Sequence, residues 1–389
     1  MSDLPILTGH LAGFEDTIAA TREKREELYK WFHQHPELSM EEYATSQRIE
    51  EVLKSIGFTV TAVGKTGKVG VLENGEGPVV AFRADFDALP IAEDTGLEYS
   101  ADPALNKMHA CGHDIHTTAL LSMCDFLDNT REHWSGTFIA LFQPGEEIAA
   151  GAQDMADNGL ADKVPTPDVV LGLHVMPGRA GEVMSKPGPQ FAACDSIRIK
   201  IPGRAAHGSM PHNAIDPTYT AAMIIARLQA IVGREVDPAD FAVVTVASMH
   251  AGTTNNIIPG EAELVLNCRF YSDRVKAKVY SAIKRVVHAE VLASGSLDQA
   301  MISFFAHGEL LDNDEAVFTR VREQFDAVFG DASVTADPKT VSEDFPIIGQ
   351  AFGAPYFFWL IGCTPRDVWD RAVEEDRVAE DVPVNHMAN

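Results

Sequence analysis

A chain of 389 residues is too long for one ordinary core and fits two domains. Its 46% hydrophobic and 23% charged residues are the composition of a globular protein, and no apolar run reaches the ~20 residues a membrane span needs. A formal net charge of −26, from 57 acidic against 31 basic residues, repels phosphate backbones and anionic membranes and so argues against both as partners.

The first thirty residues lack a basic end followed by an apolar block, so no secretory signal is read and a cytoplasmic protein is expected. Residues 15–56 read as helix with a break at HPE (35–37), Leu28, Trp31 and Phe32 sharing one face. Short apolar runs follow at 79–82, 137–142, 169–173 and 356–361, with a helical stretch at 114–127 between two of them. Strands alternating with helices predict an α/β fold, a mixed sheet flanked by helices. From about Phe191 the texture changes to strands that alternate apolar and polar residues. DSIRIKIPG is followed by a helix at 217–232, strands at 241–250 and 262–271, and a helix at 274–292. This β-α-β-β-α-β order predicts an inserted α+β domain at 191–303, interrupting a main domain made of 1–190 and 304–389. Five cysteines, an odd count without scaffold spacing, argue against a disulfide framework.

The chemistry lies just past the apolar runs. Phe82 leads into RADFDALP with Asp85 and Asp87, Phe142 into QPGEE with Glu146 and Glu147, and Leu173 into His174. MHACGHDIHTTA puts Cys111, His113, Asp114 and His116 at the mouth of a helix. In open α/β sheets, ligands bind beyond the carboxyl ends of the strands. Imidazole, carboxylate and thiolate converging there suit a divalent transition metal such as zinc. Cys111-x-His113 supplies two such ligands from one loop, and binding would deprotonate the thiol. Any one of these histidines, taken alone, reads equally as a hydrogen-bonded structural residue. Adjacent carboxylates repel unless a cation neutralises one, and one natural division has Glu147 bind metal and Glu146 act as base. An isolated Glu-Glu pair also reads as a solvated acidic loop. In the insert, His207 and His212 lie in a Gly- and Pro-punctuated segment, and Asn255, Asn256 and Arg269 follow. Pattern alone leaves these as turn and surface residues.

Taken together, RADFDALP, MHACGHDIHTTA, FQPGEE, GAQDMADNG, GLHVMP, GRAAHGSMPHNAIDP, NNIIPGEAEL, VSEDFP and VPVNH resemble a metal-dependent amidohydrolase family. That family includes hippurate hydrolase, N-acyl-amino-acid amidohydrolases and indole-acetyl amino acid hydrolases, grouped with the carboxypeptidase-like aminoacylases. The matching segments span residues 83–386 in the family's order. The resemblance implies a zinc-peptidase-like catalytic domain with the insert as its dimerisation lid, hence a homodimer or larger homo-oligomer. It implies two divalent ions (zinc, manganese, cobalt or nickel) on Cys111, His113, Glu147, His174 and His386. Glu146 would be the general base toward metal-activated water, and Asp85 would orient a ligand histidine. His207 would polarise the scissile carbonyl from the partner subunit, while Asn256 and Arg269 hold the carboxylate of a small N-acyl amino acid. The family usually continues past this histidine through SPxF and a further helix, where this sequence has MAN. NCR at 267–269 also replaces the usual Gly-Thr before the arginine. Two alternatives stand beside amide hydrolysis: an intracellular dipeptidase or carboxypeptidase on the same scaffold, and a non-catalytic binder with an incomplete metal site.

Overall fold

The computed structural model describes residues 14–389. In chain order they form α1 (Arg22–Gln34), α2 (Tyr43–Ser55), β1 (Thr59–Val63), β2 (Gly67–Asn74), β3 (Val79–Asp85), α3 (His113–Asn129), β4 (Gly136–Gln143), β5 (Val169–Arg179) and β6 (Val183–Ser185). There follow β7 (Ala193–Pro202), β8 (Ala206–His207), α4 (Pro217–Arg234), β9 (Ala242–Ala251), β10 (Ile257–Ile258), β11 (Glu261–Phe270), α5 (Asp273–Ala293) and β12 (Met301–Gly308). The chain ends through α6 (Glu315–Phe329), β13 (Ser333–Thr335), α7 (Phe345–Phe352), β14 (Tyr356–Thr364) and two short helices. These segments make two compact units, one running up to Gln190 and resuming with Asp312–Asp337 and Asp344–Asn389, the other Phe191–Leu311 with Pro338–Glu343.

The first unit is α/β, built on an eight-stranded mixed sheet in the order β1-β2-β4-β3-β5-β14-β6-β13. β3 pairs in parallel with both β4 and β5, so the chain reverses its direction of travel across the sheet at β3. That is a topological switch point, and its carboxyl end opens a crevice. Successive side chains of a strand point to opposite faces. Phe82 and Ala84 of β3, with Phe138, Ala140 and Phe142 of β4, therefore join the apolar cluster with Phe32, Ile49, Leu53, Leu120 and Leu121 from α1, α2 and α3. Arg83, Asp85 and Gln143 have the opposite parity, and the Phe345 ring of α7 lies 6.0 Å from the Arg83 guanidinium. One face of the sheet is thus hydrocarbon. The other carries charge.

The second unit is a four-stranded antiparallel sheet, β9-β11-β7-β12, whose apolar face packs on α4 and α5. Alternation in β7 puts Ile197, Ile199 and Ile201 inward against Leu264 and Leu266 of β11, Ile224 and Leu228 of α4, and Val279 and Ile283 of α5. Each such side chain contributes roughly 1.5–3 kcal/mol on full burial. Helix α4 starts where it does because the Asp216 carboxylate accepts the Thr218 N–H at 2.9 Å and Pro217 needs no donor partner in the first turn. β12 straddles residue 303, where composition puts the edge of the insert. The unit continues to Leu311 because this strand completes the sheet beside β7.

Candidate metal centre

Gly112 determines how two donors leave one loop. It sits at φ +89°, in the left-handed region, and an added Cβ would lie 2.4 Å from Val175 Cγ2. Only glycine meets both demands, and the turn it makes brings Cys111 and His113 to the same place. His113 is the first residue of α3 and is fully buried. Its Nδ1 donates to Asp87 Oδ1 at 3.1 Å, which leaves the Nε2 lone pair free, and Nε2 has no hydrogen-bond partner. His174 on β5 is fixed in the same sense. Its Nδ1 donates to the Val175 carbonyl at 2.6 Å, and its Nε2 stands 3.4 Å from Cys111 Sγ. Glu147, past the end of β4, has one carboxylate oxygen buried without a partner and 3.9 Å from His113 Nε2.

The fifth donor comes from the C-terminal segment. His386 Nε2 lies 3.3 Å from Cys111 Sγ and 3.4 Å from Glu147 Oε2. Four hydrogen bonds help tie the segment down: His386 N–H to Ala110 O at 2.8 Å, Asn385 Nδ2 to Cys111 O at 3.2 Å and to Val175 O at 3.3 Å, and Asp94 N–H to Ala388 O at 2.7 Å. His386 itself holds φ +71°, a strained backbone for a non-glycine residue, where surrounding contacts must maintain it. The segment that carries this histidine is therefore docked.

The electrostatics are those of a cluster short of positive charge. Contacts with Cys111 and then Glu147 push the His386 imidazole up to about 10. Burial disfavours charge on His113, but Asp85 and Cys111 override it and hold this histidine well above its ordinary value. Burial also dominates at His174, which is pushed well below. Proton-hungry groups on acceptors otherwise short of a partner are what a divalent cation replaces. The partnerless His113 Nε2 and Glu147 Oε1, with a thiol as a third donor, fit zinc or a similar ion.

Sequence reasoning gave Asp85 the task of orienting a ligand histidine. The structure puts Asp87 in that place, while Asp85 Oδ1 meets His116 Nδ1 at 2.6 Å and Asp85 Oδ2 is 3.6 Å from His113 Nε2. Arg83, Gln143, Asp344 and Asn385 were also passed over, although each lies inside or beside a quoted motif. Arg83 is wholly buried and reaches Gln143 Oε1, Asp85 Oδ2 and Asp344 Oδ1 at 2.8, 2.6 and 3.2 Å. A buried arginine needs several carboxylates, and an arginine ending an apolar run was the available signal. Burial pushes Asp344 up to about 6, against the pull of Arg83. Glu146 is half-buried in the turn after β4. His207, Asn256 and Arg269 all belong to the second unit. There His207 pairs in register with Ile257, and the Gly208 N–H donates to Asn256 O at 2.7 Å. His207 is exposed, and its Nδ1 accepts from the Ser209 N–H at 3.2 Å, an arrangement that puts the ring N–H on Nε2. Arg269 Nε donates to Asn267 Oδ1 at 3.0 Å.

The sequence profile of peptidase family M20/M25/M40 matches residues 81–382. The chain belongs to this family. Among M20 relatives it is similar to an N-acetyl-L-cysteine deacetylase of Bacillus subtilis, 39% identical over 323 residues, 82% of this chain and 76% of the relative. It is 35% identical over 342 residues to the hippurate hydrolase of Campylobacter jejuni, covering 86% of this chain and 87% of that enzyme. The crystal structure of a dinuclear metal-binding M20 peptidase from Bacillus subtilis superposes with a TM-score of 0.75 at 30% identity, covering 88% of this chain and 89% of that one.

Proposed function

We propose that this M20 chain is a metal-dependent amidohydrolase that cleaves the amide bond of small N-acyl amino acids. The observation that carries the reading is the convergence of Cys111 Sγ with Nε2 of His174 and His386 at 3.4 and 3.3 Å, beside the partnerless donors of His113 and Glu147. Relatives named for hydrolysis of hippurate and deacetylation of N-acetylcysteine support the substrate class.

Cys111, His113, Glu147, His174 and His386 would hold up to two divalent ions, of zinc, manganese, cobalt or nickel. Such ions, when bound, polarise a carbonyl and make water nucleophilic at neutral pH. Glu146 takes the proton from the attacking water and delivers it to the departing nitrogen. His207, with its proton on Nε2, donates to the carbonyl oxygen as that oxygen becomes anionic. Asn256 and Arg269 hold the substrate carboxylate, the arginine by paired N–H donors. The assembly is a homodimer in which His207 serves the partner subunit, and the protein works in the cytoplasm. Among the described residues no helix is long and apolar enough to cross a membrane.

The test is elemental analysis of the purified chain, with hydrolysis of hippurate and other N-acyl amino acids assayed on the same sample. About two ions per chain with metal-dependent turnover supports the proposal. No bound ion, and no turnover after manganese or zinc is added, overturns it. Glu146→Gln should keep its metal while turnover falls roughly 10²–10⁴-fold, and retained turnover would remove Glu146 as base.

A further inference from the structure

His116 shares the first turns of α3 with His113 and lies in the same knot of donors. Ligand atoms of Asp85, His113, His116 and His174 all fall within 4.8 Å of one another. By proximity alone His116 is as good a metal ligand as His113. Its hydrogen bonds say otherwise.

The Val175 main-chain N–H, an obligate donor, points at His116 Nε2 at 2.9 Å. Nε2 must therefore be the acceptor, and its lone pair is spent. In the neutral ring the proton then sits on Nδ1, which donates to Asp85 Oδ1 at 2.6 Å. Neither nitrogen is left for a cation. Asp85 is just as fully engaged. Its Oδ2 accepts from Arg83 Nη1 at 2.6 Å, and its main-chain carbonyl accepts from Thr117 Oγ1 at 3.0 Å. A carboxylate 3.6 Å from His113 Nε2 would otherwise be free to swing onto an ion bound there. Held from both oxygens, it contributes its charge without becoming a ligand. The other end of the strut matters as well. Val175 follows His174, and His174 aims its Nε2 by donating Nδ1 to the Val175 carbonyl. His116 therefore anchors the same peptide segment that aims a donor.

We propose that His116 is a positioning residue and not a ligand, a strut locked in one tautomer that fixes Asp85 and the main chain at Val175. The proposal rests on the metal-centre reading above, and its test separates the two. Holoenzyme and His116→Asn are compared for ions bound at saturating manganese, for kcat and for KM. Asparagine can still donate to Asp85 but cannot reach the Val175 N–H. The variant should bind as many ions as the parent, while kcat falls about 10–100-fold with KM changed less than about threefold. Because Asp85 and His116 are in direct contact, the double variant Asp85→Asn/His116→Asn should lose less kcat than the two single losses multiplied together. Loss of one ion at saturation would make His116 a ligand, and unchanged kcat would make the strut idle. Either result overturns the proposal, whereas a parent that binds no ion overturns the metal centre instead.

If His116→Asn does not fold, the parent labelled with ¹⁵N-histidine and loaded with ¹¹³Cd²⁺ decides the matter. His116 should show a neutral ring protonated on Nδ1 and no cadmium coupling, while His113 and His174 show coupling at Nε2. Cadmium coupling at His116 would refute the strut.

Discussion

The two units place their polar groups in contrary ways. The first buries them: Arg83, Asp85, Asp87, His113, His116, His174 and Asp344 are all buried around the carboxyl end of β3 and the start of α3. The second keeps its core apolar, with Ile197, Ile199, Leu264 and Leu266 at its centre, and carries His207 and Asn256 on exposed segments. In the first unit each charge survives burial only through its neighbours, so fold and site are one network. In the second, the exposed His207 and Asn256 can be altered without touching what holds the unit together.

The largest expected effect breaks that network. Arg83→Met leaves Asp85 and Asp344 buried without their cation, at a cost of about 3–5 kcal/mol. Urea unfolding of the variant should show that loss, with metal content reduced as well. A drop under about 1 kcal/mol would mean the carboxylates find other partners, and the contrast between units would weaken.

His207→Ala should do the reverse. Turnover should fall roughly 10²–10³-fold, the scale of a lost oxyanion donor, while metal content and unfolding midpoint stay within error. A fall in metal content would show that His207 is structural after all.

The smallest effect sharpens the comparison by testing Asp195, a buried charge of the second unit. Asp195 receives the Nδ1 proton of His307 at 2.6 Å and the Lys276 ammonium at 2.9 Å, and also bonds Tyr280. The bond to Asp195 raises the half-exposed His307 above its ordinary value. Burial opposes ionisation of Asp195, but His307, Tyr280 and Lys276 override it and lower its pKa. A raised histidine stabilises fully below its unfolded value of about 6.5 and stops doing so as pH rises through its folded value. A lowered carboxylate stabilises above about 4 and stops as pH falls through its folded value. The pair should therefore support the unit best between about pH 4 and 6.5. Scanning calorimetry from pH 6 to 9 should show a decline that His307→Gln flattens. Identical slopes for parent and variant would rule the pair out.

Legibility followed burial. The runs at 79–82, 137–142, 169–173 and 356–361 all fall inside strands, because a sheet covered on both faces demands continuous apolar sequence. The last strand of the β-α-β-β-α-β order, β12, had no span readable from the sequence, because Phe304 and Phe305 are exposed and the alternation is lost. Strands β1 and β2 escaped for a related reason. They lie at one edge of the sheet, with glycines at 67 and 70 interrupting β2. At the site, the donor types could be read from motifs. Their partners could not, since Arg83 meets an aspartate 261 residues away and Cys111 a histidine 275 residues away.

The sequence by itself determined which chemistries are present: a thiol, imidazoles and carboxylates delivered past the ends of apolar strands, and a glycine between Cys111 and His113 that only a left-handed turn requires. Which of those groups keep a lone pair for a metal was decided by tertiary structure alone. His113 and His116 are the same residue type three positions apart on one helix. They differ because Asp87 takes the Nδ1 proton of one and leaves its Nε2 open, while the Val175 N–H closes Nε2 of the other.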